Sequence, residues 1–218
     1  MKKILIVGAT QPEISPTIKY VLDVSKSEEE DLENLEVSFI LTGVGMVNTA
    51  FTMGKLFGHK FDVVINAGVA GSYVNHKIGT VVNVTTDCFS ELGAEDGDDF
   101  ISILEMGLGD QNVEVSDLFK NTLTDKLEIV SGITVNTVNG NEKKIEQIKA
   151  YISPHVETME GAAFIQCANA LKWKAIQLRA ISNQVEKRNK ANWNMPLAIK
   201  NLNEFLIAFL KDLNKSSN

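Results

Sequence analysis

The stretch AIQLRAISNQVEKRN, residues 175–189, decides the fold class, because an apolar strand ends within it and a polar loop begins. Residues 175–182 are largely apolar, which is typical of a strand whose two faces are both covered by other elements. Arg179, Ser182 and Asn183 then stand where the chain leaves the core. Such a strand end is either the start of an ordinary solvated loop or a place where a ligand is bound.

Working outward, five further short runs rich in Ile and Val predict strands. They span residues 3–8, 37–43, 62–68, 79–86 and 155–159. Between them lie helical patterns, at residues 14–24, 46–57, 141–151, 160–171 and 196–213. This alternation predicts an α/β fold, a single domain over residues 1–218 with a mixed, mostly parallel central sheet flanked by helices. Residues 91–117 break the alternation, and their glycines and acidic residues predict a long surface loop.

The composition limits the partners of this chain. Its 28 acidic and 21 basic residues give a net charge of −7, which argues against nucleic acid or an anionic membrane surface as a partner. No apolar stretch approaches the roughly 18 residues that a membrane span needs. Two cysteines, Cys88 and Cys167, without C-x-x-C spacing predict reduced thiols and a cytoplasmic location. The three histidines are scattered, so no metal site is predicted.

In open α/β sheets, ligands bind beyond the carboxyl ends of the strands, so the turns at these ends form the candidate site. The turns at residues 43–50 and 66–73 are rich in glycine, which would let backbone N–H groups approach a ligand. Neither is a G-x-G-x-x-G or Walker motif, so a Rossmann NAD site is weakly supported.

Two glutamates, Glu13 and Glu160, each stand at the start of a predicted helix that follows a strand. They are either first-turn acids favoured by the helix dipole or carboxylates of the site. In the second interpretation, one of them accepts a proton from water and the other binds sugar hydroxyls.

Five stretches, taken in chain order, carry a resemblance to a known family: IVGATQPEIS, TGVGMVNTA, NAGVAGS, VETMEGAAF and LRAISNQVE. Over essentially the whole chain they resemble the superfamily of purine nucleoside phosphorylases and nucleosidases. They are similar to its hydrolytic branch, which includes the methylthioadenosine/S-adenosylhomocysteine nucleosidases, and within it to the futalosine hydrolases of menaquinone biosynthesis. The resemblance implies hydrolysis of the N-glycosidic bond of a small-molecule purine nucleoside, with no metal or organic cofactor. It also implies a homodimer or larger homo-oligomer, in which residues 86–100 of a neighbouring subunit close the site.

The resemblance also assigns roles to individual residues. Glu13 would polarise the attacking water, and Arg179 would orient that water together with Glu13. Met159 and Glu160 would hold the ribose, and Asn183 would meet N7 of the departing purine. The other predicted substrate-binding residues are Gly45, Ala70, Gly71, Val138 and Arg188, the last as a cation for a carboxylate on the substrate's 5′ substituent.

Asn183 stands where the adenine-specific nucleosidases carry aspartate. The hydrogen-bond donors and acceptors of the two side chains predict which purine each of them favours. A 6-oxopurine presents two acceptors, O6 and N7, which an amide can meet by donating to O6 and accepting from a protonated N7. Asn183 therefore favours hypoxanthine or guanine over adenine. Val69 and Val138 stand where those enzymes carry a serine and an aromatic residue, which also argues against adenine.

The turns after the first and second strands, residues 8–15 and 43–48, contain no Arg or Lys, and Glu13 stands in the first of them. Because a carboxylate repels phosphate but can activate water, hydrolysis is favoured over phosphorolysis. Three alternatives stay open: an adenine-specific nucleosidase, a purine nucleoside phosphorylase, and a nucleoside-binding protein without turnover. The pair formed by Glu13 and Arg179 argues against the last, because binding alone needs no water-activating groups.

Overall fold

The computed structural model describes residues 1–26, 32–97 and 99–216 of the chain. The strands are β1 Lys2–Gly8, β2 Leu35–Leu41, β3 Val63–Ser72, β4 Val81–Cys88, β5 Gly93–Asp96, β6 Asp99–Ser102, β7 Asn112–Glu114, β8 Ile129–Thr134, β9 Val156–Thr158 and β10 Ala175–Gln184. The α-helices are α1 Gln11–Val24, α2 Met46–Gly54, α3 Glu142–Tyr151, α4 Gly161–Ala170 and α5 Met195–Lys215. All five predicted helices and all six predicted strands are therefore present.

The central sheet is mixed and mostly parallel, as predicted. Its strand order is β10-β4-β8-β9-β3-β1-β2, with β7 added on β4. An additional pairing between β10 and β3 joins β3, β10, β4, β8 and β9 into a closed ring. Five of the pairings in this sheet are parallel and three are antiparallel, the latter being β10–β4, β3–β9 and β4–β7.

Helices cover both faces of the sheet, which explains why its strands are largely apolar in sequence. One core cluster joins α1 and α5 to β1, β3 and β10, and includes Ile14, Leu206 and Phe209. A second lies on the opposite face and joins α2 and α4 to the sheet through Met53 and Phe164. A third fills the ring itself with small apolar side chains, namely Ala70, Val82, Val84, Val130, Val156 and Ile181.

The sequence analysis missed one strand and described one segment incompletely. Strand β8 was not predicted, because Ser131 and Gly132 interrupt its apolar run, yet it pairs with β4 and β9 inside the ring. The segment 91–117 is not a loop throughout: β5 and β6 form an antiparallel hairpin, and β7 pairs with β4. Residue 98, which belongs to the predicted subunit-contact segment 86–100, lies outside the described residues.

Within the described ranges, no helix is long and apolar enough to cross a membrane. Both cysteines are free thiols, and Cys88 is buried at the end of β4.

Candidate active site

The candidate site is built along one edge of β3. Strand β10 pairs with the other edge from Val64 to Ser72. On the site edge, β1 pairs with β3 only as far as Asn66, and β9 begins to pair with it at Gly71. Residues 67–70 therefore have no ladder partner on this edge, and their backbone polar groups need partners from elsewhere.

Glu13 reaches this unpaired part of β3 from the first turn of α1. Its Oε2 accepts hydrogen bonds from the backbone N–H and the hydroxyl of Thr10, at 2.9 and 2.8 Å, in a capping box. Its Oε1 accepts a hydrogen bond from the Val69 N–H at 3.2 Å. The carboxylate is only 7% exposed. The two interpretations of Glu13 from the sequence are thus compatible, since one oxygen caps the helix and the other faces β3.

The side chains of Arg179 and Glu13 both come close to Gly68. Arg179 pairs with Gly68 across β10 and β3, and a Cβ atom at Gly68 would overlap its Nη1 and lie 2.9 Å from Oε1 of Glu13. Only glycine leaves room for this approach of guanidinium and carboxylate. Arg179 is 1% exposed, and its Nε and Nη2 have no acceptor among the described residues. Because buried donors are costly to leave unpaired, these N–H groups are suited to a water or ligand oxygen.

Asp87, at the end of β4, is a second buried carboxylate near Arg179, and the sequence analysis missed it. Burial raises its pKa to about 6, although hydrogen bonds and the positive charge of Arg179 act in the opposite direction. The donors are Gln177 Nε2 at 3.0 Å, the Thr134 hydroxyl at 2.9 Å and the Cys88 N–H at 2.8 Å. The available signal was an aspartate near the end of a strand that begins with apolar residues.

Glu160, which follows β9, is hydrogen-bonded to Gly45, which follows β2. It is the N-cap residue of α4, directly after β9 and Met159, and is 8% exposed. Its Oε1 accepts a hydrogen bond from the Gly45 N–H at 3.0 Å. Gly45 begins α2 after β2 and has a φ of +99°, a conformation that favours glycine. Met159 is half-buried in the turn. Because β9 runs antiparallel to β3, its end comes back towards the unpaired residues of β3.

A second group of polar side chains lies further along β3, at Gly71. Gly71 pairs with Asn183 of β10 on one side and with Glu157 of β9 on the other. All three line one cavity of about 70 Å³. Gly68 and Gly71 are three residues apart on β3, so the two groups stand about 10 Å from each other.

Asn183 is half-buried and follows an irregularity in the β10–β3 register at Ser182. Its Oδ1 accepts a hydrogen bond from the Ser182 hydroxyl at 2.7 Å, and its Nδ2 donates to the Gln184 carbonyl at 2.8 Å. An amide has two donor hydrogens and two acceptor lone pairs. Asn183 therefore keeps one donor and one acceptor for a ligand while its orientation is fixed by its neighbours.

Glu157 is the other polar side chain beside Gly71, and the sequence analysis missed it as well. It is 5% exposed. Its Oε2 accepts from the Tyr73 hydroxyl at 2.9 Å and from Asn139 Nδ2, and its Oε1 accepts from the Asn139 N–H at 2.9 Å. Burial, together with the charge of Glu157, raises the pKa of Tyr73, so its hydroxyl stays a donor. The first of the two acids in VETME was the available signal, but the sequence analysis used only the second, as part of the Met-Glu pair.

The remaining predicted residues fall into two groups. Val138 and Arg188 line the same cavity as Asn183, and Val138 is 40% exposed there. The guanidinium of Arg188 lies 5.2 Å from the centre of the Trp193 ring, which also lines the cavity. Ala70 is different, because its side chain packs inside the ring and its carbonyl accepts a hydrogen bond from Ser182. Any contact of Ala70 with a ligand would use its backbone.

Among the described residues, no group of three or more His, Cys, Asp or Glu side chains could hold a metal ion. The site instead combines carboxylates, guanidinium groups and amides.

Comparison with known proteins identifies a family whose model matches most of the chain. The family model described as Phosphorylase superfamily matches residues 3–211. The chain is 28% identical over 150 residues to the futalosine hydrolase of Acidothermus cellulolyticus, covering 65% of this chain and 62% of that protein, which is less than two thirds of its length. It is 25% identical over 232 residues to the 5′-methylthioadenosine/S-adenosylhomocysteine nucleosidase of Glaesserella parasuis, covering 96% and 99% of the two chains.

Solved structures with the same fold include both kinds of enzyme. One is a methylthioadenosine nucleosidase mutant of Helicobacter pylori with 5′-methylthioadenosine in its active site, with a TM-score of 0.76 at 18% identity over 97% of this chain and 99% of that one. Another is the futalosine hydrolase of Helicobacter pylori, with a TM-score of 0.75 at 18% identity over 97% and 98%. At these identities the structures establish the fold alone.

Proposed function

The chain belongs to the phosphorylase superfamily, and we propose that it is a nucleosidase that hydrolyses the N-glycosidic bond of futalosine. The products would be hypoxanthine and dehypoxanthine futalosine, a step of menaquinone biosynthesis. The observation that carries the hydrolytic part is that the buried side chains of Glu13 and Arg179 both approach Gly68. The proposal of futalosine as substrate draws on Asn183 and on the similarity to futalosine hydrolases.

In the proposed reaction, a water molecule attacks the anomeric carbon of the ribose. Oε1 of Glu13 accepts a proton from this water as the new C–O bond forms. The free N–H groups of Arg179 would orient the water through its oxygen. Glu160, fixed by its bond to Gly45, would accept hydrogen bonds from the ribose hydroxyls, with Met159 beside it.

The bond from the anomeric carbon to the purine breaks with both electrons going to the base, while the sugar becomes cationic as in other glycoside hydrolyses. The base takes up a proton at N7 from solvent as it departs, and Asn183 would stabilise it by donating to O6 and accepting from N7–H. An oriented donor of this kind contributes roughly 2.7–4 kcal/mol in oxyanion holes. Glu13 then releases to solvent the proton that it took from the attacking water. Gly71 and Val138 would provide the surface on which the base lies.

Hydrolysis is favoured over phosphorolysis by the local charge. The groups assigned to the water and the ribose are two carboxylates, Glu13 and Glu160, and one guanidinium, that of Arg179. Their net negative charge would repel phosphate, which is itself an anion.

Arg188 remains our candidate substrate-binding cation. Its position in the cavity beside Asn183 favours contact with the base end of the substrate over contact with the 5′ substituent.

A second candidate is the methylthioadenosine/S-adenosylhomocysteine nucleosidase reaction. It is favoured by the similarity to the Glaesserella parasuis enzyme, which covers 96% of this chain. That reaction would release adenine, to which Asn183 is less suited than an acid would be.

A chromatographic assay separates these functions. Futalosine, inosine and methylthioadenosine are each incubated with the protein, with and without phosphate, and the free bases are identified. We expect hypoxanthine from futalosine only, at a rate that phosphate does not change. Adenine from methylthioadenosine would support the second candidate, and a requirement for phosphate would support a phosphorylase.

A further inference from the structure

Asn203 is a buried polar side chain on α5, and the reaction described above gives it no role. It is 2% exposed, and its partner Thr17 on α1 is fully buried. Burying an amide costs free energy unless its polar atoms are hydrogen-bonded. The hydrogen bonds that Asn203 makes therefore indicate what it does for α1, the helix that carries Glu13.

The amide of Asn203 contacts two backbone groups of α1 that lie one turn apart. Its Nδ2 donates to the carbonyl of Glu13 at 2.8 Å. Its Oδ1 accepts from the N–H of Thr17 at 3.0 Å and from the Thr17 hydroxyl at 2.6 Å. In a regular α-helix, this carbonyl and this N–H are donor and acceptor of one backbone hydrogen bond. Asn203 therefore bridges two groups that a regular helix joins directly.

All four hydrogen-bonding positions of this amide are used within the described residues. The second hydrogen on Nδ2 donates to the Ile199 carbonyl of α5 at 2.7 Å. An amide has two donor hydrogens and two acceptor lone pairs, so Asn203 is saturated. Because a carbonyl can only accept and a backbone N–H can only donate, the amide cannot be turned over. The first turn of α1 is thus attached to α5 in one geometry.

Pro16 explains why α1 needs this attachment. It lies inside the helix and has no N–H, so the carbonyl of Pro12 lacks its usual donor. The ring of a proline also crowds the carbonyl four residues earlier. The backbone around Glu13 is therefore held less firmly by its own helix than it would be in a regular one, and Asn203 supplies a bond from outside.

We propose that Asn203 is a positioning residue for Glu13, which fixes the backbone of Glu13 so that its Oε1 stays at the Val69 N–H of β3. This inference rests on the proposed function, in which Glu13 is the general base. The bond from Val69 to Oε1 is 3.2 Å long, near the upper limit for a hydrogen bond, so a small shift of α1 would break it. Such a shift would also displace the carboxylate from the water that it activates.

A purely structural role for Asn203 predicts a different result. If Asn203 only stabilised the packing of α1 on α5, its loss would lower the folded fraction, and activity would fall by the same factor whichever residue stands at position 13. If Asn203 acts through Glu13, its loss should matter only while Glu13 is present. A double-mutant cycle separates the two roles.

The first test measures futalosine hydrolysis by the wild type, Asn203→Leu, Glu13→Gln and the double variant. In Asn203→Leu we expect kcat to fall by about 10- to 100-fold, as for a misplaced catalytic group. The dissociation constant of hypoxanthine should stay within about twofold, because only the reacting step is affected. In the Glu13→Gln background the same substitution should change kcat by less than about threefold. An equal loss in both backgrounds, or a near-normal rate in Asn203→Leu, would overturn the inference.

Asn214→Leu is the matched control for Asn203→Leu. It removes another buried amide from α5, whose Oδ1 accepts from the Asn34 N–H at 2.8 Å and not from α1. Its kcat should stay within about twofold of the wild type. A near-normal rate in Glu13→Gln, or a wild type that cleaves no nucleoside, would instead overturn the proposed function.

The second test follows the positioning itself and needs no turnover. Hydrogen exchange of the Val69 N–H, measured by NMR, should be about 10-fold faster in Asn203→Leu than in the wild type and unchanged in Asn214→Leu. Unchanged exchange in Asn203→Leu would overturn the inference even if kcat fell. If Asn203→Leu does not fold, Thr17→Val replaces it, because valine keeps the shape of threonine and removes only the hydroxyl bond. Exchange at Val69 should then be faster by a smaller factor, and no change would overturn the inference.

Discussion

At the residue scale, Glu13 combines two tasks that are usually given to different side chains. Oε2 holds the start of α1 through Thr10, and Oε1 lies at the Val69 N–H beside Arg179. The helix cap restricts the rotamers of the side chain, so its free lone pairs point in a fixed direction. A fixed acceptor is what a general base needs, because proton transfer depends on geometry before it depends on pKa.

Replacing Glu13 by Gln tests this residue directly. The amide keeps a carbonyl oxygen for the cap but cannot accept a proton from water, so we expect kcat for futalosine to fall by about 10²- to 10⁴-fold. Binding of hypoxanthine, measured by calorimetry, should stay within a few-fold of the wild type. A variant with a near-normal rate would reject Glu13 as the base.

Asp87 makes a prediction about stability. Its pKa rises from 3.8 to about 6 on burial, so the folded protein holds this proton more tightly than the unfolded chain does. The free energy of unfolding should therefore decrease as the pH rises from about 4 to about 6, by on the order of 3 kcal/mol from this group. Asp87→Asn cannot ionise and lacks this decrease.

The measurement is urea unfolding of the wild type and Asp87→Asn at several pH values between 4 and 7. The wild type should lose stability relative to the variant as the pH rises through this range, and the difference should level off above it. A difference that does not change with pH would mean that Asp87 is not destabilised by burial.

Some of the site residues were predictable and others were not, for physical reasons. Glu13 and Glu160 could be singled out because each stands at the start of a helix that follows a strand. In the structure Glu13 accepts from the Val69 N–H of β3, and Glu160 accepts from the Gly45 N–H. Asp87 and Glu157 stand among both polar and apolar residues in their strands, and their partners Arg179 and Asn139 are distant in sequence. Only strand register reveals such contacts.

At the element scale, the division of one edge of β3 between β1 and β9 creates the site. The four residues between the two pairings have no ladder partner on that edge, and side chains from α1 and β10 fill the space beside them. Gly68 and Gly71 admit those side chains because they have none of their own.

Gly68→Ala tests the role of this gap. The added methyl would displace the buried guanidinium of Arg179 from Glu13, so we expect kcat/KM for futalosine to fall by about 100-fold. The free energy of unfolding should also fall by about 1–3 kcal/mol, because the site is overpacked.

Gly54→Ala is the matched control for that substitution. Gly54 ends α2, and a Cβ atom there would have nothing within 4 Å. We expect unchanged activity and a stability equal to or slightly above that of the wild type. Unimpaired turnover in Gly68→Ala would show that Arg179 and Glu13 need not meet at this glycine.

Helices and doubly covered strands were predictable at this scale because each has its own local pattern. The helices α1 to α5 and the strands β1, β3 and β10 follow from apolar periodicity. Strand β8 could not be predicted from apolar periodicity, because it is stabilised by pairing with two neighbouring strands and not by its own composition. The closure of the ring by β10 and β3 is likewise a long-range pairing that no local signal records.

At the scale of the whole molecule, an apolar surface lies next to the site. Val44, Val47 and Phe51 are 47%, 75% and 66% exposed along one side of α2 and the turn before it. They flank Gly45, whose N–H holds Glu160. Contiguous exposed apolar side chains of this kind often mark a subunit contact. We therefore expect a homodimer or larger homo-oligomer that uses this surface.

Phe51→Glu should weaken that assembly, because it sets a charge in an apolar contact. Sedimentation velocity over a range of concentrations should give a smaller mass for this variant than for the wild type. Leu22→Glu, which alters an exposed apolar side chain on α1, should assemble like the wild type. A wild type that is monomeric at every concentration would contradict the expectation.

The most direct test of the whole account is a crystal structure of the protein soaked with hypoxanthine. We predict that the base lies over Gly71, with O6 and N7 within about 3.2 Å of the Asn183 amide, the distance of an ordinary hydrogen bond. A base bound elsewhere, or an Asn183 whose amide contacts only Ser182 and Gln184, would contradict the account.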